Sequence, residues 1–105
     1  VTTNGSVARE NGAVKVAGAL TFQTVPDFLA RSKDWMGGGN GAATIDLGEV
    51  TRADSAGVAL LLEWLRLARD HGREVRFVNA PEQLRHLIQV NGLTQILLGE
   101  ETAGS

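Results

Sequence analysis

A single α/β domain, with a mixed β-sheet and helices gathered mainly on one face, is the architecture this sequence predicts. Three observations predict it. Asn11-Gly12 lies between two short runs, Ser6 to Glu10 and Ala13 to Ala19, the strongest local signal for a β-hairpin. Downstream, strand-like and helix-like stretches alternate, which implies parallel β-α-β units with right-handed crossovers. The length of 105 residues suits one domain over residues 1–105, with 1–5 and 99–105, small and polar, expected to be flexible.

The elements follow in order. In the second hairpin arm Val14, Val16 and Gly18 take alternate positions, as a half-buried strand requires. Thr24-Val25-Pro26-Asp27 reads as a helix start, with Thr24 as cap, a first-turn proline and an acid at the positive helix end. Val25, Phe28, Leu29, Trp35 and Met36 then recur at helical spacing, and Gly37 to Gly41 breaks the helix. Ala43 to Leu47 is a short buried-strand candidate ending at Gly48. A long helix is predicted from Asp54 to about His71, with Gly72 terminating it. Glu74 to Val78 alternates as a strand. Asn79-Ala80-Pro81-Glu82 has the form of a cap, proline and acid opening a helix that carries Leu84, Leu87 and Ile88 on one face and stops near Asn91-Gly92. Leu93 to Leu98 is an apolar ending, strand or helix.

Composition narrows the function. Net charge is −2, and the eight arginines are scattered, with Arg66, Arg69, Arg73 and Arg76 interleaved with Asp70 and Glu74. That pattern does not form a basic nucleic-acid surface. Cysteine is absent, which removes disulfides, zinc–thiolate sites and a thiol nucleophile. The longest apolar helical run, Val58 to Leu62, falls well short of the ~20 residues a membrane span needs. The start, Val1 to Gly5, has neither the basic region nor the apolar stretch of a signal peptide, so a cytoplasmic location is expected.

Chemical motifs are weak throughout. Gly37 to Ala42 formally contains G-x-G-x-x-A, but it follows a helix and precedes a strand, the reverse of a dinucleotide loop. His71 and His86 lie in different elements without metal-ligand spacing, and Ser55 lacks the glycine that precedes a nucleophile elbow. No metal, no cofactor and no catalytic activity are expected.

The informative segment runs from Thr44 to Leu67. Asp54 and Ser55 are both favoured N-cap residues. Ser55 is also placed to sit exposed at the positive helix end, where a phosphate or a partner meets backbone N–H groups. In the helix that follows, Val58, Leu61, Leu62, Leu65 and Ala68 share one stripe, which should face the sheet, and Glu63, Arg66 and Asp70 form a polar strip. Leu60, Trp64 and Leu67 form a second apolar stripe, to be covered either by a neighbouring helix or by a partner.

Ile45-Asp46-Leu47, then Asp54-Ser55-Ala56-Gly57 and a long aliphatic helix, resemble the signature of STAS domains, the family of the anti-sigma-factor antagonists and of sulfate-transporter tails. The likeness covers about Ser6 to Leu98 and implies the STAS fold. A narrower resemblance, through Val16 to Pro26, Val50 to Leu62 and Asn91-Gly92-Leu93, is to the MlaB branch, small STAS subunits of Mla phospholipid-transport ABC systems. It implies a non-catalytic subunit that binds the cytoplasmic ATPase, supports its assembly and activity, and lies peripheral to the inner membrane through that partner. The partner surface implied is Arg52, Asp54, Ser55 and Ala56, with Leu60, Trp64 and Leu67 next along the helix if the flanking helices leave them bare. The alternative is an anti-sigma-factor antagonist that binds an anti-sigma kinase and is switched by phosphorylation at Ser55. Ala56 stands where many phosphorylated antagonists carry a second hydroxyl.

Overall fold

The computed structural model describes residues 5–10, 13–36 and 42–99. The Asn11-Gly12 turn, the Gly37–Gly41 break and the flexibility expected of residues 1–4 and 100–105 lie outside them. The elements are β1 (Gly5–Glu10), β2 (Ala13–Leu20), α1 (Val25–Met36), β3 (Ala42–Ala53), α2 (Ser55–Asp70), β4 (Glu74–Val78) and α3 (Glu82–Val90), then a wide helical turn at Thr94–Leu98.

The four strands lie in chain order, β1-β2-β3-β4. β1 pairs antiparallel with β2 from Gly5↔Gly18 to Glu10↔Ala13, while β2–β3 and β3–β4 are parallel. Period-two alternation sorts the two faces. Val14, Val16, Ile45, Leu47 and Phe77 are buried, whereas Lys15, Asp46 and Arg76 point away from the core. The helices cover the apolar face. Leu84 and Ile88 of α3 are fully buried beside it, and Leu97 of the terminal turn closes the end.

α2 buries both of its apolar stripes. Val58, Leu61 and Ala68 meet the core as expected, and so do Leu60 (1% exposed) and Trp64 (0%). The reason is α1, which packs along α2 and sets Phe28 edge-on to the Trp64 ring, with centroids 6.4 Å apart and planes at 82°. Leu67 is half-buried and packs against the same core. Leu60 and Trp64 are therefore interior and cannot serve as a docking face, and Leu67 is covered in part. On the solvent side Arg66 bridges Glu63 and Asp70. At the end of α2, Gly72 takes a left-handed φ of 68° and the Arg73 N–H reaches back to the Ala68 carbonyl at 2.7 Å.

Three local expectations need correction. β3 does not stop at Gly48 but runs twelve residues to Ala53. The Gly48 N–H is taken up by the Asp46 carboxylate at 2.8 Å, and the register against β2 slips once before and once after Val50, with both Val50 and Ala53 buried. Thr24 precedes α1 but does not cap it. Its hydroxyl donates to the Ala19 carbonyl at 2.7 Å and accepts the Thr21 N–H at 2.9 Å, tying the turn before the helix. Asn79 does not cap α3, whose N-cap residue is Pro81, without a side-chain cap bond. Instead Asn79 turns the chain at φ 61° and donates its amide to Asp46 at 3.2 Å.

Candidate functional site: the start of α2

The site forms where β3 hands over to α2. Ala53 is the last strand residue, and the Asp54 N–H donates to the Leu20 carbonyl at 3.1 Å. The Asp54 carboxylate then does two things. One oxygen accepts the N–H groups of Ala56 (2.9 Å) and Gly57 (3.3 Å), capping α2, and the other accepts the Phe22 N–H at 3.2 Å. A single side chain thus ties the β2–α1 turn to the helix start. Gly57 makes the close approach feasible, since a methyl group there would lie 2.4 Å from the Leu20 carbonyl oxygen.

β3 is held on its other side by α3. The Ala53 N–H donates to Gln83 Oε1 and the Ala53 carbonyl accepts from Gln83 Nε2, both at 2.9 Å. β4 has already ended at Val78, opposite Asp46, so the Gln83 amide takes the place of a neighbouring strand.

This scaffold brings together four of the residues singled out from the sequence. Arg52 and Ser55 are exposed, Asp54 is half-buried as the cap, and Ala56 is half-buried with its N–H bonded to Asp54. The cap bonds belong to Asp54, leaving Ser55 as the first helical residue with its side chain toward solvent. Ala59, one turn further on the same face, is also exposed. Leu60, Trp64 and Leu67 are not part of this surface.

Sequence reasoning missed Phe22 as a site residue. It is 70% exposed although its backbone N–H is bonded to the Asp54 carboxylate, so a large aromatic ring stands in water on the turn tied to the start of α2. The signal available was an aromatic within a threonine-rich turn, which alone does not separate a core residue from a surface one.

Little else on the described surface suits small-molecule chemistry. No group of three or more His, Cys, Asp or Glu that could hold a metal ion occurs among the described residues. A cavity of about 160 Å³ lies between β4 and the terminal turn, lined by Val75, Arg76, Phe77 and Ile96 to Gly99. That is below the ~300–1,000 Å³ of typical ligand pockets. No helix among the described residues is long and apolar enough to cross a membrane.

A mixed four-stranded sheet with helices on one face defines a small α/β domain. The model of the STAS family described as "Mlab, STAS domain" matches residues 5–99, and the chain belongs to that family. No match was found among curated proteins. Solved structures share the fold. The anti-sigma factor antagonist SpoIIAA in its unphosphorylated form is 18% identical with a TM-score of 0.70, covering 90% of this chain and 85% of that one. An anti-sigma factor antagonist from Mycobacterium paratuberculosis is 23% identical with a TM-score of 0.68, covering 89% and 80%. The STAS domain of an antisigma-factor antagonist from Rhodobacter sphaeroides is 23% identical with a TM-score of 0.60, covering 75% and 91%.

Proposed function

We propose that this chain is a non-catalytic STAS subunit of an Mla-type phospholipid-transport ABC transporter. It binds the cytoplasmic ATPase, supports that subunit's assembly and activity, and lies peripheral to the inner membrane through it. The observation that carries the reading is the match of residues 5–99 to the MlaB-type family model. The docking surface is Arg52, Asp54, Ser55 and Ala56, with Phe22 added. Its hydrogen-bonded backbone means that little conformational entropy is lost when a partner docks, which favours affinity.

The second reading is an anti-sigma-factor antagonist switched at Ser55. It is favoured by the exposure of Ser55 at a helix N-terminus, where added negative charge is stabilised. Asp54 weighs against it, because its carboxylate already occupies the first-turn N–H groups and would repel a phosphate on the next residue.

The test is capture of partners from native cytoplasm followed by titration of the captured ATPase with Ser55→Ala, Ser55→Glu and Phe22→Ala. An ABC ATPase is expected. Ser55→Glu and Phe22→Ala should each weaken binding at least tenfold, about 1.4 kcal/mol, while melting as the parent does. Capture of a histidine-kinase-like ATPase instead would establish the second reading, and unchanged affinity for Ser55→Glu would remove Ser55 from the interface.

A further inference from the structure

We infer that Gln83 is a positioning residue for the docking surface, so that α3 sets where α2 begins and how Ser55 is presented. The inference rests on the docking reading above for its consequence in binding, but the geometry of the clamp is independent of any partner.

The sheet leaves a gap beside the end of β3. β4 pairs with β3 only from Ala42 to Asp46, yet β3 continues to Ala53. Over that extension one side of β3 pairs with β2, ending at Leu20↔Ala53, and the other side has no strand. An unpaired strand end frays, because its backbone groups exchange partners with water. Gln83 prevents this at the last residue. Its side-chain amide has one donor and one acceptor side by side, the same pairing a neighbouring strand would offer, and both are used on Ala53 at 2.9 Å.

Position in the chain converts this local bond into control of the site. Ala53 is followed directly by Asp54, whose N–H is fixed to Leu20 and whose carboxylate holds Phe22, Ala56 and Gly57. The helix start is thus gripped from two sides, by the β2–α1 turn through Asp54 and by α3 through Gln83. Gln83 lies thirty residues from Ala53 and on a different helix from Ser55. A displacement of α3 is therefore transmitted to the Arg52–Ala56 surface, although α3 contributes none of its residues. Glutamate in place of Gln83 retains the acceptor for the Ala53 N–H but loses the donor to its carbonyl. Leucine loses both.

The experiment is residue-resolved hydrogen exchange on the full chain, comparing the parent with Gln83→Leu, Gln83→Glu and, as a control on the same helix, Gln89→Leu. Gln83→Leu is expected to accelerate exchange at Ala53 at least tenfold, and at Ala56 and Gly57 several-fold, with mid-helix α2 amides and the melting temperature unchanged. Gln83→Glu should fall between, and Gln89→Leu should match the parent. If Ala53 alone accelerates, Gln83 only locks a strand end and the inference fails. If all amides accelerate together with a lowered melting temperature, its role is general stability and the inference fails equally. In the second arm, titration with the captured ATPase should show several-fold weaker binding for Gln83→Leu than for Gln89→Leu, and equal binding overturns the link to docking. If the parent binds no ABC ATPase, the proposed function falls while the exchange arm still decides the role of Gln83.

Discussion

Replacing Gly57 with alanine sets two effects of known sign against each other. Glycine inside a helix costs roughly 1 kcal/mol relative to alanine, so on propensity alone Gly57→Ala would stabilise α2. The packing says otherwise. The new methyl would lie 2.4 Å from the Leu20 carbonyl oxygen, 2.9 Å from the Leu20 Cβ and 3.2 Å from the Ala53 Cβ. The first two are backbone or backbone-attached atoms of Leu20, which pairs with Ala53 of β3 and accepts the Asp54 N–H, so neither swings aside as a long side chain would. To reach even 3.0 Å from the oxygen the helix must move by at least about 0.6 Å, which stretches the Asp54–Leu20 bond. Overpacking of this kind costs roughly 1–3 kcal/mol. The propensity gain is also reduced in the first turn of a helix, so a net loss of about 1–2 kcal/mol is expected. For a domain of this size that corresponds to a melting temperature lower by about 4–15 °C. Thermal and urea unfolding of the purified variant measure it directly. A variant as stable as the parent, or more so, would refute the close approach of α2 to β2 and the argument that this contact fixes the helix start.

Two further outcomes follow from the same structure. Trp64→Ala, with no partner present, should cost about 3–5 kcal/mol in urea unfolding, because the ring is fully buried edge-on against Phe28; a loss below about 1 kcal/mol would return Trp64 to the surface. Asp46 has its carboxyl held below the ordinary value of 3.8 by the Gly48 N–H foremost, aided by the Asn79 amide and the Lys15 charge and opposed by a little burial. With the folded value depressed, its contribution is complete above 3.8 and is lost as pH falls through the lower folded value; the stability difference between parent and Asp46→Asn should shrink across that window, and a difference constant with pH would show that the carboxylate charge is not what matters.

The regular parts of the fold were legible because periodicity carries them. Val14 and Val16, Val75 and Phe77, and Leu84 with Ile88 declare their faces by spacing alone. Places where a side chain replaces regular backbone pairing were not legible. The run Gly48-Glu49-Val50-Thr51-Arg52-Ala53 reads as loop because two register slips destroy its alternation and its outer neighbour is the Gln83 amide rather than a strand. Thr24 and Asn79 carry the right residue types for caps, yet nearby backbone and Asp46 compete for the same hydroxyl and amide. Of the site, Arg52 to Ala56 followed from the cap motif and the family resemblance. Trp64 was ambiguous because a sequence shows two apolar stripes on α2 but not the helix that covers the second. Phe22 escaped because exposure of a lone aromatic is decided by tertiary packing.

The order of the strands bears on how the chain acquires its shape. Because β1, β2, β3 and β4 lie side by side in the order in which they are made, each strand after the first finds the edge it needs already formed as it leaves the ribosome. No strand has to be inserted between two others that paired earlier, and every closure spans only a hairpin or one intervening helix. Short closures of that kind lose little chain entropy, so folding should be fast for a sheet protein and should proceed from the amino-terminal hairpin outward. The last strand to join is the five-residue β4, and the Gln83 clamp follows it. The start of α2, the docking surface proposed above, is therefore completed only when α3 has docked, and a nascent chain lacking α3 would not yet present it.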